Sequence, residues 1–168
     1  MVSVARILKN NGGFSFVLAG EGPDRERVEQ AIFACNLADR FHLKGHLEDM
    51  NSYYKDLDLY LNTSMHEGIP MTILEAMARG LPVVAPAVGG IVEIIDDGVE
   101  GFLVHSRDPE DYAEKCLRLR DAELRKQMGQ AARKKVERLF SAEYMSSQYY
   151  QLYRDLTEDK MGRVALPC

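Results

Sequence analysis

The chain has 168 residues, of which 46% are hydrophobic and 28% are charged, and its net charge is −5 at pH 7. This length and composition are typical of one globular domain with a single hydrophobic core, and no apolar run is long enough for a transmembrane helix. The negative charge argues against a nucleic-acid-binding protein, which usually carries a basic face.

Alternating apolar and amphipathic stretches run from residue 14 to residue 104. The apolar runs predict strands at residues 14–19, 41–44, 57–61, 82–85 and 101–104. The stretches between them predict helices at residues 24–36 and 48–55, from Pro70 onward, and at 91–95, with Asp24 as an N-cap. This alternation predicts right-handed crossovers, and hence an α/β, Rossmann-like parallel sheet with helices on both faces.

The C-terminal third is predicted to be helical. Residues 109–119 and 122–139 have amphipathic periodicity, and Ser141 is a candidate N-cap for a tyrosine-rich last helix that ends at Leu156. We expect one domain over residues 1–156 and a frayed tail over residues 157–168.

The cysteines and the first residues bear on where the protein resides. Cys35, Cys116 and Cys168 are widely spaced and odd in number, which indicates neither a disulfide framework nor a metal-binding pair. Residues 1–9 lack the apolar length and cleavage site of a signal peptide and have the pattern of a helix end. We therefore expect a cytoplasmic protein, and we expect this chain to begin inside a fold.

Glu67 and Glu75 lie eight residues apart around a Gly-x-Pro helix start. Pro70 suits the first helical position, so Glu67 would lie in the preceding loop and Glu75 about one turn inside the helix. The amides of Met71, Thr72 and Ile73 would be free donors at the positive end of the helix dipole, where an anion such as a diphosphate binds. The alternative is that the two acids only stabilise the dipole.

Several glycine-containing loops fall at the carboxyl ends of the predicted strands, which is where such sheets bind ligands. These loops are Gly20-Glu21-Gly22, Gly45-His46, residues 64–68 and Gly89-Gly90. We expect them to converge on one side of the sheet. Gly68 would leave space for a ligand to approach.

The segment with two acids at residues 64–85, the runs 88–93 and 98–104, and the motifs at 19–23 and 44–46 together resemble the donor-binding half of GT4-type retaining glycosyltransferases. These enzymes have the GT-B fold, and the resemblance covers residues 14 to about 156. It implies transfer of a sugar with retention from a UDP- or GDP-linked donor, in surface polysaccharide synthesis. It also implies that no metal and no cofactor take part, and that the full-length enzyme is cytoplasmic or peripheral at the inner membrane face.

The resemblance also assigns roles to individual residues. Glu67 would be the catalytic acid near the reacting sugar carbon, and Glu75 would hold the nucleotide ribose. The other donor-binding residues would be Gly68, Met71, Thr72, Gly45, His46 and Gly20.

The chain also departs from the family pattern. The strand that normally opens the donor half, with its Gly-Arg and Lys-Gly pairs, is absent, and so is the acceptor-binding domain. Those cations neutralise the leaving diphosphate, a contribution of several kcal/mol. We therefore expect the isolated chain to transfer sugar very slowly or not at all.

Other interpretations remain open. The chain could be a non-catalytic nucleotide-sugar-binding module that pairs with a separate acceptor-binding protein, or half of another GT-B enzyme such as an epimerase. Asp56-Leu57-Asp58 has the form of a metal-binding DxD, but capping and solvation are the preferred interpretation. The partial dinucleotide fingerprint at Gly20-Glu21-Gly22 lacks its third glycine.

Overall fold

The computed structural model describes residues 1–11 and 13–162, the last five by their backbone alone. The strands are β1 (Phe16–Ala19), β2 (Phe41–Gly45), β3 (Tyr60–Leu61), β4 (Val83–Pro86) and β5 (Gly101–Val104). The helices are α1 (Val2–Leu8), α2 (Arg25–Ala34), α3 (Met50–Lys55), α4 (Met71–Ala78), α5 (Ile91–Ile94), α6 (Pro109–Arg118), α7 (Ala122–Leu139) and α8 (Ala142–Gly162). No helix within the described ranges is both long and apolar enough to cross a membrane.

The strands pair in parallel, as predicted, but they form two sheets instead of one. β1 pairs with β2, with Phe16 opposite Phe41. The second sheet has the order β3-β4-β5, with Tyr60 opposite Val83 and Val83 opposite Gly101. β1 and β3 are not hydrogen-bonded to each other.

Helices cover both faces of the three-stranded sheet. Successive side chains of the buried strand β4 therefore pack into two different hydrophobic cores, one on each face. Val83 and Ala85 pack with residues of α4, α5 and α7. Val84, between them, packs on the opposite face with residues of α1 and α6. The predicted α/β architecture is therefore confirmed, and β4 and β5 are apolar throughout because they are buried on both sides.

The helix caps agree in part with the prediction. The Ser141 hydroxyl accepts the Tyr144 amide proton at 3.1 Å, which confirms the predicted cap of α8. Asp24 occupies the N-cap of α2 but its side chain makes no capping hydrogen bond. Helix α8 continues past Leu156 to Gly162, and the rest of the predicted frayed tail, residues 163–168, lies outside the described residues.

Gly80 and Gly129 set the position of α4. Gly80 has φ +76° and follows the end of α4, where its amide bonds the Met77 carbonyl at 2.9 Å. A β-carbon on Gly129 would lie 1.9 Å from the Gly80 carbonyl oxygen, so α7 crosses in direct backbone contact. Close packing at this crossing holds α4 on the sheet.

Candidate functional site

Helix α4 begins one residue later than predicted. Pro70 is the N-cap, with φ −73° and ψ 113°, and Met71 is the first helical residue. The Pro70 carbonyl accepts from the amides of Ile73 and Leu74, at 3.1 and 3.4 Å. The prediction of Ile73 as a free donor was therefore wrong. The first-turn amides without an intrahelical acceptor are those of Met71 and Thr72.

Glu75 is held by a tyrosine of the neighbouring helix. The Tyr54 hydroxyl donates to Oε2 of Glu75 at 3.0 Å, and the Arg79 guanidinium lies 4.6 Å from the centre of the Tyr54 ring. Arg79 also donates to the Glu75 carbonyl at 2.8 Å and to the Asn51 side chain. These contacts fix the carboxylate between α3 and α4 and occupy only one of its two oxygens.

Glu67 is half-buried and its side chain has no hydrogen bond or ion pair to any part of the chain that the structure describes. Both acids act on Tyr60, the first residue of β3. Burial is the main cause that raises the pKa of the Tyr60 hydroxyl, and the charges of Glu67 and Glu75 raise it further, against a hydrogen bond to Thr72. The charges of both carboxylates therefore reach the same tyrosine.

Tyr54 reports the same electrostatic environment. Burial raises the pKa of its hydroxyl most, followed by the hydrogen bond to Glu75 and the negative charge of that residue. Because the phenol stays protonated, it remains a donor to the Glu75 carboxylate over the physiological pH range.

The loop that carries Glu67 rests on the Gly89-Gly90 turn after β4. The Gly90 amide donates to the Gly68 carbonyl at 2.9 Å. A β-carbon would lie 1.8 Å from the Glu67 carbonyl oxygen if placed on Gly89, and 2.5 Å from the Gly68 oxygen if placed on Gly90. The sequence predicted a turn here but not this contact, and the adjacent glycines were the only signal for it.

Gly20, Gly45 and His46 come together at the carboxyl ends of β1 and β2. The Gly20 amide donates to the Gly45 carbonyl at 2.7 Å, and His46 is exposed beside them. Within residues 1–11 and 13–162, no hydrogen bond or ion pair joins this group to the Glu67–Glu75 segment. The predicted convergence of the two groups thus stays a prediction.

Two cavities lie near the predicted residues. One of about 560 Å³ separates the two sheets and is lined by Thr72, Tyr54 and Tyr60. The other, of about 380 Å³, lies beyond the carboxyl ends of β3, β4 and β5 and includes Ser64 and Met65. Neither cavity is lined by Glu67 or Glu75.

Comparison with known proteins identifies relatives of this chain. The family described as "Glycosyl transferases group 1" matches residues 2–122. The chain is 34% identical over 150 residues to N-acetyl-alpha-D-glucosaminyl L-malate synthase of Bacillus anthracis, a match that covers 88% of this chain and 39% of that protein. The chain thus spans about two fifths of the length of this relative.

Solved structures similar to this chain belong to glycosyltransferases as well. The C-terminal domain of a glycosyl transferase group 1 family protein from Francisella tularensis has a TM-score of 0.76 at 28% identity, covering 84% of this chain and 77% of that domain. The TarM structure from S. aureus, a complex that contains UDP, has a TM-score of 0.81 at 27% identity, covering 90% of this chain and 31% of TarM. The chain belongs to the group 1 glycosyl transferases, and its fold is one half of the GT-B fold.

Proposed function

We propose that this chain is the donor-binding part of a retaining glycosyltransferase that takes its sugar from a nucleotide-sugar. The observation that carries the proposal is that Glu67, in the preceding loop, and Glu75, held by Tyr54, flank the start of a helix whose first two amides are free. A donor of this kind has an anionic diphosphate between a sugar and a ribose. The Met71 and Thr72 amides would donate hydrogen bonds to the diphosphate, and the two carboxylates would contact the sugar and the ribose on either side of it.

Each acid has a distinct role in this proposal. Glu67 forms no hydrogen bond or ion pair with the described residues, so its negative charge is available to the sugar carbon, which becomes cationic as the diphosphate leaves. Glu75 is positioned by Tyr54 and keeps one oxygen for the ribose hydroxyls. Gly68 places no side chain between them, and a β-carbon there would meet no atom within 4 Å.

The donor is proposed to be linked to UDP or GDP, and no metal or cofactor is part of the reaction. The UDP in the related S. aureus TarM structure supports a uridine nucleotide. We place the reaction in surface polysaccharide synthesis, in the cytoplasm or at the inner membrane face. The relatives include a poly(ribitol-phosphate) alpha-N-acetylglucosaminyltransferase of Staphylococcus aureus and an amylovoran biosynthesis glycosyltransferase of Erwinia amylovora.

Replacing Glu75 tests its role in holding the ribose. Glu75→Ala is expected to weaken UDP or GDP binding by about 1–3 kcal/mol, because buried ribose hydroxyls would lose a charged acceptor. Calorimetric titration measures the change. Glu114→Ala, which removes an exposed carboxylate on α6, is the matched control and should bind like the wild type.

Tyr54→Phe separates the effect of positioning Glu75 from the effect of its contact with the donor. It removes the hydroxyl that holds Glu75 but keeps the ring under Arg79, so we expect a smaller loss of affinity than for Glu75→Ala. Equal affinities for the wild type and Glu75→Ala would count against the ribose role.

The acceptor is proposed to bind to a second domain. The relatives are longer than this chain, which covers 39% of the Bacillus anthracis protein and 32% of the Staphylococcus aureus transferase. We therefore expect the purified chain to release no transferred sugar above background with a panel of nucleotide sugars. Ordinary turnover by this chain alone would refute that expectation.

The same assay on a longer polypeptide that contains the chain separates the rival interpretations. Sugar transfer supports the proposal. An epimerised donor would indicate another GT-B enzyme, and donor binding without any product would indicate a non-catalytic module.

A further inference from the structure

The cavity of about 380 Å³ beyond the carboxyl ends of β3, β4 and β5 combines apolar and polar side chains. Val4, Val104 and Tyr112 line it and are buried. Ser64 and Arg107 line it too and are more exposed. Pockets for small molecules have the same construction, an apolar lining with a few polar groups, and volumes of about 300–1,000 Å³.

The Tyr112 hydroxyl has no hydrogen-bond partner among the described residues. Only 7% of Tyr112 is exposed, and its side chain belongs to the core that contains Val4 and Val104. Within the described ranges, no unpaired polar side-chain atom is completely enclosed, so this hydroxyl reaches open space, and the cavity is the space that Tyr112 lines. Since buried polar groups in proteins are nearly always paired, the hydroxyl indicates a ligand in the cavity.

The same phenol can both donate and accept a hydrogen bond. Burial raises the pKa of the Tyr112 hydroxyl above its ordinary value. The group therefore stays protonated at neutral pH and has a proton to donate as well as lone pairs to accept with. A hydroxyl group of a ligand meets both requirements.

The lining of the cavity is positively charged, although the chain as a whole is acidic. Arg107 and His105 belong to the lining, and neither forms a hydrogen bond or an ion pair with the described residues. None of the described lining residues is an aspartate or a glutamate, whereas the chain has 26 of them. The nearby Asp111 carboxylate accepts the Ser106 hydroxyl. An unpaired guanidinium in such surroundings suits a phosphate, which it binds through two parallel hydrogen bonds.

Serine hydroxyls from two further elements reach the same cavity. Ser64 follows β3, and its amide donates to the Asn62 side chain at 2.8 Å, which fixes its position. Ser3 belongs to α1 and also lines the cavity. The hydroxyls of both serines are without a hydrogen bond in the part of the chain that the structure describes. The cavity therefore offers several hydroxyl groups beside one cation.

We propose that this cavity is a binding site for a small phosphorylated polyol. Arg107 holds the phosphate, and Tyr112 and Ser64 form hydrogen bonds with the hydroxyl groups of the carbon chain. The lining includes neither Glu67 nor Glu75, and the inference does not depend on the proposed sugar transfer.

Calorimetric titration of this chain with glycerol 3-phosphate, inorganic phosphate and glycerol tests the site. We expect saturable binding of glycerol 3-phosphate, about tenfold weaker binding of inorganic phosphate, which lacks the carbon-bound hydroxyls, and no binding of glycerol. Arg107→Ala should weaken binding of glycerol 3-phosphate by tenfold or more, because it removes a charged donor. Arg138→Ala, which removes an exposed arginine of α7 outside the cavity, is the matched control and should bind like the wild type.

Tyr112→Phe tests the hydroxyl itself. The change keeps the ring in the core and removes only the unpaired group, so Tm should stay at the wild-type value or rise. Affinity for glycerol 3-phosphate should fall by about two- to tenfold, the effect of one hydrogen bond. A lower Tm with unchanged affinity would show that the hydroxyl is structural and would overturn its role in the site.

Other results would overturn the proposal as a whole. These are no saturable binding of glycerol 3-phosphate, and equal affinity in the wild type and Arg107→Ala. Inorganic phosphate that binds as tightly as glycerol 3-phosphate would overturn the polyol as the ligand. Backbone amide NMR locates the bound probe: we expect shift changes at Met65 and His105. Changes at Met71 and Thr72 instead would assign the phosphate to the start of α4 and overturn the proposal.

Discussion

Glu67→Gln in a longer polypeptide that carries the acceptor domain is expected to lower kcat by about 10²–10³-fold, the range for removing one preorganised electrostatic contact at a developing charge. Glu67 has no hydrogen bond or ion pair in the part of the chain that the structure describes. Its charge is thus not already neutralised by any described residue when the sugar cation forms. The amide of Gln is isosteric, so the loss should come from charge alone and KM for the donor should change little.

The control for this experiment is Glu75→Gln, which we expect to raise KM more than it lowers kcat. Steady-state kinetics on both variants therefore separates an acid that acts on the transition state from one that acts on binding. A Glu67→Gln enzyme with wild-type kcat would remove Glu67 from the mechanism.

Gly89→Ala is expected to destabilise the protein by about 3 kcal/mol and to abolish donor binding. Its β-carbon would lie 1.8 Å from the Glu67 carbonyl oxygen, which forces the loop away from the turn. The left-handed φ of +53° adds about 1–2 kcal/mol of strain for any residue with a β-carbon, and overpacking costs about 1–3 kcal/mol.

Gly68→Ala is the matched control in the same loop. Its β-carbon would meet no atom within 4 Å, so Tm should stay near the wild-type value while donor binding weakens, because the methyl group occupies the ligand side. Thermal unfolding and calorimetry of the two variants measure both effects. A Gly89→Ala protein with wild-type Tm would show that the loop does not rest on the turn.

Much of the secondary structure could be predicted because its signals are local. The bounds of α7 and β5 match the prediction, since the amphipathic periodicity of α7 and the apolar run of β5 lie within the elements themselves. The bounds of β3 do not match, because residues 57–59 have no partner strand and a strand needs one. The split between the two sheets was missed for the same reason: an apolar run predicts a strand but not its neighbours.

The candidate site was likewise predicted only in part. The fold and the glycosyltransferase family were correctly predicted from the motifs, and the roles of Glu67 and Glu75 stay predictions. The contact of Gly89 with the Glu67 loop and the Tyr54 bond to Glu75 join segments 21 or more residues apart. Such tertiary contacts leave no periodic pattern, so no local rule predicts them.

Backbone amide NMR during titration with UDP- and GDP-sugars tests the central claim most directly, namely that a donor binds at the start of α4 between Glu67 and Glu75. We predict that the largest shift changes occur at Gly68, Met71 and Thr72, and that Glu75→Ala reduces them at equal ligand concentration. Saturable binding that shifts amides elsewhere and leaves these three unchanged would contradict the account.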